Sequence, residues 1–565
     1  MLSRLRRKST GPLPDVRSVN FTKEHITVSR TIARRKRILD TIWNRISLIR
    51  AILALAGFLW LLALPYEGLW KGTYVDEHAL QPAQVTTHFD WANVHKADLY
   101  LDRLEKIINL PFEERTSSLQ DTFSASGLST SNTSTSTYAH VKPPRSKSTE
   151  SILVSANWLS RDGTPNLRGI ATLLALGDFL RGQNHWAFDF ILVIGEGYME
   201  GLEGFMQEYP SLFSGVIWTG LNIDYPGHSF SHIGLFYEGV NGRLPNQDII
   251  NTVQRVAQFT GGVPTRFHDI PDELPNIQAP EWLRTYLLAS KQLLHHFGYM
   301  ITGRASAAHG VLARHRIDSL TLYCTPAEGP HGFHTLGKTL ESTLRSQNNL
   351  LERLHASYFF YLLPKPWNFI PIGQYLPSAI LFGSSLTLGG LQIKGYVLRG
   401  LFILLPGFVV SGLSYLLDFD PIYPSLFILP FNLKLLNMLD KNDGNSIIMK
   451  EIRKSSKSLS LLFYGCLIST LSMLNYPQAI FLALICFLYL IDINTKYPKF
   501  NNYYKLLLLI CTQPGLILIL SKRFLGIDLE LKREYEQLGN LTWPIGIYFI
   551  WLPLWINTFL TIKYD

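Results

Sequence analysis

The stretch from Ser151 to Gly227 constrains the fold of this chain more than any other part of the sequence. It contains three nearly continuous apolar runs, at 152–155, 188–194 and 215–218, and a helical pattern at 169–180 separates the first two. Apolar runs of this length, alternating with a helix, are typical of strands that are buried on both faces of a parallel sheet. We therefore predict a soluble α/β domain here, with ligands bound just past the carboxyl ends of its strands.

The composition of the whole chain indicates that this domain is attached to a membrane. Of the 565 residues, 47% are apolar and 17% are charged, whereas soluble domains carry about 25% charged residues. The formal net charge of +9 comes largely from the basic residues at 1–50. Because these residues directly precede an apolar segment, they favour a cytosolic orientation signal over nucleic-acid binding.

The succession of basic, apolar and mixed segments predicts four regions. Residues 1–45 are a basic cytosolic arm, and residues 46–66 are a first transmembrane helix of the length that a bilayer requires. Residues 67–365 are the lumenal domain, within which 116–149 is predicted as a flexible loop rich in Ser and Thr. Residues 366–565 are a bundle of about seven transmembrane helices. Its apolar runs lie at 370–388, 397–417, 422–439, 459–474, 479–491, 503–520 and 541–561.

The hydrophobic periodicity after Gly227 predicts the remaining elements of the domain. Helices are predicted at 245–259 and 282–299, and a strand is predicted at 316–322. A long helix is predicted at 336–363, with an aromatic and apolar end that suits a membrane interface. The fold class is thus a multi-pass α-helical membrane protein, of about eight spans, with a large lumenal α/β domain.

Cysteine usage excludes a disulfide framework in the soluble part. Of the four cysteines, Cys466, Cys486 and Cys511 lie in apolar runs, so that Cys324 alone falls in the predicted domain. A lone cysteine can be a nucleophile, but it is more often a small apolar residue of the core.

Three sequence patterns match the acceptor site for N-glycosylation, and one of them, Asn20-Phe21-Thr22, lies in the predicted cytosolic arm. Asn132-Thr133-Ser134 lies in the predicted lumenal loop, and we predict glycosylation of Asn132 there, with a chance match as the alternative. Asn540-Leu541-Thr542 is also lumenal in this topology, but it adjoins a predicted span.

The polar residues at the predicted strand ends resemble the site of zinc aminopeptidases that use paired metal ions. Such enzymes hold the ions with a His, a bridging Asp, a Glu pair, an Asp in an N-x-D-x-x-G turn and a late His. In this chain Asn157 falls at the first His and Asn166 near the bridging Asp. Asp224 matches the Asp turn, and His334 resembles the last ligand. Glu196 follows the second strand as a relocated acid.

Asn157, Glu196, Asp224 and His334 therefore form a candidate degenerate pocket, for which ordinary structural roles are the alternative. Asp224 can cap its own turn, His334 can be a loop histidine, and Glu196 can be a solvated carboxylate. Asp224 and His334 are the two candidates for a metal ligand. Because most of the ligand positions carry other residues, the sequence predicts neither a catalytic residue nor a cofactor, and no bound zinc is expected.

Several sequence blocks outside this pocket resemble one family. The blocks are Thr73–Leu80, Glu238–Asn246, Ala308–Gly310, Arg316–Leu322 and Leu350–Pro364. They are similar to the glycosylphosphatidylinositol (GPI) anchor attachment proteins, which are the aminopeptidase-like membrane subunits of GPI transamidase. The resemblance implies a multi-pass protein of the endoplasmic reticulum membrane, with a cytosolic amino terminus and a lumenal domain.

The same resemblance implies a function without chemistry of its own. The nucleophile would belong to a separate legumain-like cysteine protease subunit, and this chain would scaffold the complex. It would help to present the GPI lipid and proproteins that carry C-terminal GPI signals. Two alternatives remain open, namely a metal-dependent enzyme that forms the peptide bond within the same complex and a membrane transporter with a large lumenal domain.

Overall fold

A computed structural model gives the fold of this chain. It describes residues 34, 43, 45–74, 84, 86–268, 270, 279–350, 360–391, 397–417, 445–490, 507–525 and 539–561. The strands are β1 (Lys71–Gly72), β2 (Ser129–Asn132), β3 (Ser136–Val141), β4 (Glu150–Asn157), β5 (Asp189–Gly195), β6 (Val216–Asp224), β7 (Phe230–Phe236), β8 (Thr265–Phe267), β9 (Asp318–Pro326), β10 (Tyr361–Lys365) and β11 (Asn368–Pro371).

The helices belong to the α/β domain or to the apolar part of the chain. They are α1 (Ile46–Ala63), α2 (Trp91–Ile107), α3 (Phe112–Ala125), α4 (Leu167–Arg181), α5 (Glu200–Leu212), α6 (Gln247–Val256), α7 (Glu281–Thr302), α8 (Gly310–Arg314), α9 (Phe333–Asn348), α10 (Ile372–Gly390), α11 (Val397–Leu416), α12 (Asn445–Leu474), α13 (Tyr476–Leu490), α14 (Pro514–Leu525), α15 (Thr542–Pro544) and α16 (Leu552–Thr561). Short 3-10 turns lie at Glu67–Leu69 and Val240–Gly242, and π-helical segments lie at Ala257–Gly261 and Ile545–Trp551.

The α/β domain is built on one sheet with the strand order β2-β3-β5-β4-β6-β9-β7-β8. Its centre confirms the predicted parallel sheet, because β4 pairs in parallel with β5 and β6, and β6 pairs in parallel with β9. Antiparallel pairs flank this centre, with β3 on β5 and β7 on β9. The sheet is therefore mixed.

Helices cover both faces of the sheet, as the continuous apolar strands require. Every residue of β4 after Glu150 is buried. Successive side chains of a strand point to opposite faces, and Ile152 and Val154 pack with α4 in one core, whereas Leu153 packs with Leu202 and Phe205 of α5 in the other. The burial of β4 on both faces fixes it at the centre of the domain.

The segment predicted as a flexible loop at 116–149 is ordered, and that prediction is wrong. It begins inside α3 and continues into the hairpin of β2 and β3, in which Asn132 pairs with Thr137. β3 then pairs with β5, and Ser136, Thr137 and Tyr138 are buried there. A run of Ser and Thr has low complexity, but the β-branched Thr suits a pleated strand once a neighbouring strand is available.

The helix predicted at 336–363 is shorter than expected. α9 ends at Asn348, residues 351–359 lie outside the described part of the chain, and Tyr361–Lys365 is strand β10. The Tyr361 hydroxyl donates a hydrogen bond of 2.8 Å to Pro245 O. Short apolar and aromatic runs are ambiguous between helix and strand, and in this case the pairing of β10 with β11 decides the outcome.

The two helices that flank the α/β domain lie side by side and antiparallel. Arg50 Nε of α1 donates to Ser385 O of α10 at 3.0 Å, and a Cβ at Gly57 would lie 3.1 Å from Ser378 O. Where the helices reach the domain, β1 pairs with β11. The chain therefore enters and leaves the α/β domain at the same place.

Two of the described helices contain segments long and apolar enough to cross a bilayer, Ile46–Ala63 and Lys454–Leu474. Leu404–Leu416 and Tyr476–Leu490 are apolar but shorter. The apolar run predicted at 422–439 and nearly all of the basic arm at 1–45 lie outside the described residues. The total of about eight spans stays a prediction.

Candidate functional site

The candidate site lies where β4, β5 and β6 end beside one another. The strand register pairs Asn157 with Gly195 and Ser155 with Asn222. Ser155 Oγ also donates to Asn222 Oδ1 at 2.9 Å inside the sheet. Because the strands are parallel, the residues that follow each of them meet at one edge, as predicted from the sequence.

Two asparagines hold this edge together through amide hydrogen bonds. Asn157 is buried, and its Nδ2 donates to Tyr198 O. Asn166 Nδ2 donates to Asn157 O and to Ile223 O at 3.0 Å each, and its Oδ1 accepts from Tyr225 N at 2.7 Å. Asn166 therefore joins the ends of β4 and β6, because its side-chain amide forms hydrogen bonds with backbone groups of both.

Asp224 is the carboxylate of the site, and it is almost fully enclosed. Its side chain is 1% exposed, and Oδ2 accepts a hydrogen bond of 2.9 Å from Arg161 N. Within the described part of the chain Oδ1 has no hydrogen-bond partner. Burial raises the pKa of Asp224 to about 6 and the nearby Asp162 carboxylate adds to the rise, although the Ser160 side chain and the hydrogen bond from Arg161 N oppose it.

Arg161 places a positive charge beside this carboxylate. Its Nε donates to Ser306 O at 3.1 Å and its Nη2 to the Tyr299 hydroxyl at 2.6 Å. The guanidinium lies 4.1 Å from the centre of the Phe236 ring, in a cation–π contact. The loop after β4 therefore brings an arginine, together with its own backbone N–H, to the Asp224 carboxylate at the end of β6.

Glu196 and His334 are engaged elsewhere. Glu196 Oε1 accepts from Arg115 Nη2 at 2.6 Å, and Arg115 also lies over the Trp158 ring. The His334 ring stacks on Trp91 with 4.6 Å between centroids, and burial together with Lys338 lowers its pKa. In the described regions neither side chain makes a hydrogen bond or ring contact with Asp224, so that Asn157 and Asp224 meet at the edge without them.

A buried cluster around Glu238 escaped the sequence analysis. The Glu238 carboxylate, 0% exposed, accepts from His268 Nε2 at 2.6 Å and from His296 Nδ1 at 2.7 Å. Gln292 Nε2 lies 2.9 Å from His268 Nδ1, so the tautomer with a proton on Nε2 satisfies both neighbours of His268. Burial alone would raise the pKa of Glu238, but the charges and hydrogen bonds of the two histidines hold it well below its usual range.

The signal for this cluster was present in the sequence. Glu238 directly follows an apolar strand, and His295-His296 lie on the following long helix. Adjacent helical residues cannot share a face, which excluded the pair as joint ligands. One of the two still turns inward: His296 is fully buried, and it meets a carboxylate from a distant part of the chain.

The chain has a limited similarity to the solved structures of a glutaminyl cyclase and an aminopeptidase. The glutaminyl cyclase of Fimbriiglobus ruber is 12% identical, over 48% of this chain and 98% of that chain, with a TM-score of 0.33. The LapA aminopeptidase of Legionella pneumophila is 10% identical, over 48% of this chain and 79% of that chain, with a TM-score of 0.32. At these values the likeness carries no argument about chemistry.

The sequence comparisons are more specific. The chain is 26% identical to the GPI transamidase component GAA1 of Saccharomyces cerevisiae over 463 residues, which are 78% of this chain and 74% of that protein. It is 28% identical to the GPI transamidase component gaa1 of Schizosaccharomyces pombe over 391 residues, which are 62% and 65% of the two proteins. Residues 133–398 match the family model described as "Gaa1-like, GPI transamidase component". These matches confirm the resemblance to GPI transamidase components that the sequence blocks predicted.

Proposed function

We propose that this chain is a non-catalytic subunit of GPI transamidase in the endoplasmic reticulum membrane. In this proposal it scaffolds the complex and helps to present the GPI lipid and the proprotein to a separate legumain-like cysteine protease subunit. The names of the two yeast relatives support the complex. The residues at the strand ends support a role without catalysis for this chain.

The observation that carries the proposal is the set of donors around Asp224. A paired-zinc site needs several carboxylates and imidazoles at one place. At this edge Asn157 and Asn166 use their amide N–H groups on backbone carbonyls, and Arg161 N donates to Asp224. A guanidinium beside the remaining carboxylate opposes a second cation. These residues do not fit a pair of zinc ions, and we propose that the chain uses no catalytic zinc.

The cysteine of the domain also does not suit a nucleophile. Cys324 lies in β9 and is 0% exposed. Burial, together with the neighbouring Asp224 carboxylate, raises the pKa of its thiol well above the usual range. Because the thiolate is the reactive form, Cys324 serves as a core residue, and the cysteine chemistry is left to another subunit.

The position of the domain supports a scaffold. α1 and α10 flank the domain at both of its ends and are joined by the antiparallel contact of Arg50 with Ser385. In this proposal the domain stands on the lumenal surface, where the glycan of a GPI lipid and a proprotein would both be in reach.

The test is to express Asp224→Ala in cells in which this chain is the only copy, with Asp162→Ala as the matched control. We expect both variants to co-purify with the cysteine protease subunit in mild detergent and to retain most of the GPI attachment. The purified chain is also analysed for metal. Stoichiometric zinc that disappears from Asp224→Ala together with GPI attachment, while the complex stays intact, would contradict the proposal and favour a metal-dependent enzyme.

A further inference from the structure

A cleft of about 440 Å³ lies where the α/β domain meets the apolar helices. Six segments line it: the turn after Gly239, the end of α7, strand β10 with the residue before it, the beginning of α10, the end of α12 and the beginning of α13. The residues that matter for its chemistry are Arg243, Leu244, Tyr361, Tyr375, Met473 and Leu474. Its volume lies within the range of about 300–1,000 Å³ that is usual for pockets that bind small molecules.

One end of the cleft carries a half-buried cation. Arg243 lies in the domain, and Asp318 is the acidic group that acts on it electrostatically. Among the described residues no acceptor makes a hydrogen bond or a close ion pair with its guanidinium. Guanidinium has five N–H donors in a rigid fork that matches the oxygens of a phosphate. The guanidinium of Arg243 is therefore available in the cleft to bind an anion.

The other end of the cleft is apolar and belongs to a candidate membrane span. Met473 and Leu474 are the last residues of the segment Lys454–Leu474, and their side chains are 58% and 78% exposed. Exposed large apolar side chains at the end of a span are stable in contact with acyl chains. The cleft therefore opens at the depth where the hydrocarbon core ends and the headgroup region begins.

Aromatic residues mark the same depth. Tyr375 and Tyr476 pack with 4.8 Å between ring centroids, and the Tyr476 hydroxyl forms a hydrogen bond of 2.7 Å with Ser378 Oγ. Tyrosine is enriched at membrane–water interfaces, because its ring is apolar and its hydroxyl is polar. The wall of the cleft thus combines a charged, an aromatic and an aliphatic part.

We propose that this cleft binds an anionic phospholipid from the lumenal leaflet, with its phosphate on Arg243 and an acyl chain along Met473 and Leu474. A basic pocket beside membrane helices is a recurrent way to recognise lipid headgroups. The charge of the cleft and its continuity with the span both select this occupant over a soluble metabolite. The site is distinct from the strand ends, and it does not depend on the proposed part in GPI attachment.

The test uses the full chain purified in mild detergent, with phosphatidylinositol as the probe and diacylglycerol as its neutral counterpart. Bound lipid is counted by native mass spectrometry. We expect the wild type to retain phosphatidylinositol, and Arg243→Gln to bind it about tenfold more weakly. Arg243→Lys keeps the charge and retains part of the affinity. Arg284→Gln, which changes an exposed arginine of α7 outside the cleft, leaves the affinity unchanged.

A second variant guards against a folding defect at Arg243. Met473→Trp fills the apolar end without altering the charge, and we expect it to displace the lipid as well. Equal retention of phosphatidylinositol by the wild type, Arg243→Gln and Met473→Trp would overturn the proposal. So would a bound lipid that is lost when the chain is purified from cells blocked in GPI synthesis, because the occupant would then be the GPI lipid itself.

Discussion

Replacing Asp224 with Asn tests whether the candidate site carries an uncompensated buried charge. The Asp224 carboxyl is 1% exposed, and one of its oxygens has no hydrogen-bond partner within the described residues. Burial raises its pKa from an ordinary value of 3.8 to about 6. Between these two values the folded protein holds a proton that the unfolded chain has released. The free energy of unfolding therefore falls as the pH rises through this window.

The magnitude follows from the size of the shift. A change from 3.8 to about 6, at about 1.4 kcal/mol per pKa unit, corresponds to a penalty on the order of 3 kcal/mol that is fully present at pH 7. The amide introduced by Asp224→Asn would keep the acceptor for Arg161 N but would add a buried donor without an acceptor, at a cost of about 1–2 kcal/mol. The variant should thus be more stable at pH 7 by about 1 kcal/mol.

The measurement is thermal unfolding of the full chain in detergent, followed for wild type and variant between pH 4 and pH 7.5. The stability difference should favour Asp224→Asn at pH 7 and should reverse towards pH 4, because the wild-type carboxyl is then neutral. Asp162→Asn is the matched control. Burial of Asp162 is outweighed by hydrogen bonds from Thr164, which lower its pKa. Its carboxylate therefore stabilises the fold above its ordinary pKa. Asp162→Asn should accordingly become less stable, relative to wild type, as the pH rises.

The result that would refute this reasoning is an Asp224→Asn variant that becomes less stable, relative to wild type, as the pH rises. Such a trend would mean that the ionised carboxylate is stabilised in the folded state, as a bound cation would do. A difference that does not change with pH would show that Asp224 keeps its ordinary pKa. Either result would show that burial does not raise the pKa of Asp224.

Three further predictions concern the rest of the domain. Glu238→Gln should lower the free energy of unfolding by about 3–5 kcal/mol in thermal unfolding. The stability difference between this variant and the wild type should shrink as the pH falls, because the pKa of Glu238 is depressed in the folded state. Glu281→Gln, at an exposed position, should change neither the stability nor its pH dependence. Asn241 has a φ of 61° and accepts from Leu541 N at 2.7 Å, so Asn241→Gly should speed hydrogen exchange of Leu541, and Asn241→Ala should also cost about 1 kcal/mol of backbone strain. Asn132→Gln should abolish an endoglycosidase-sensitive shift in mass, whereas Asn540→Gln should not, because Asn540 is 1% exposed and donates to Thr302 O.

The centre of the sheet was predictable because its signal is local. β4, β5 and the beginning of β6 are apolar on both faces, and only a strand with helices above and below satisfies such a pattern. The edge was not predictable. β3 continues a run of Ser and Thr that is typical of a loop, and it becomes a strand because it pairs with the backbone of β5.

The same distinction holds for the candidate site. The strand register placed Asn157 and Asp224 at one edge, and this follows from where each strand ends. His334 was expected there by its likeness to a motif, but its ring stacks on Trp91 of a helix more than two hundred residues away in the sequence. Glu238, His268 and His296 were missed for the same reason, since each comes from a different element and only the folded chain brings them together.

Side-chain hydrogen bonds hold the junction between the α/β domain and the apolar helices. Backbone carbonyls at the end of α7 accept hydrogen bonds from asparagine side chains that lie beyond the α/β domain. Asn475 Nδ2 donates to Met300 O at 2.7 Å, and Asn540 Nδ2 donates to Thr302 O at 2.9 Å. In the opposite direction, Asn241 of the domain donates from its Nδ2 to Gly539 O at 2.9 Å.

Hydrogen bonds of this kind depend on direction, whereas apolar contacts tolerate sliding and rotation. A hinged domain that closes over a substrate would need to break them in each cycle, and their loss would leave buried amides and carbonyls unsatisfied at about 1–3 kcal/mol each. Since Asn475 and Asn540 are both buried, that cost applies in full. The junction therefore holds the α/β domain in one orientation. A fixed orientation suits the proposed scaffold, whereas a mobile catalytic lid would have to change its orientation in each cycle.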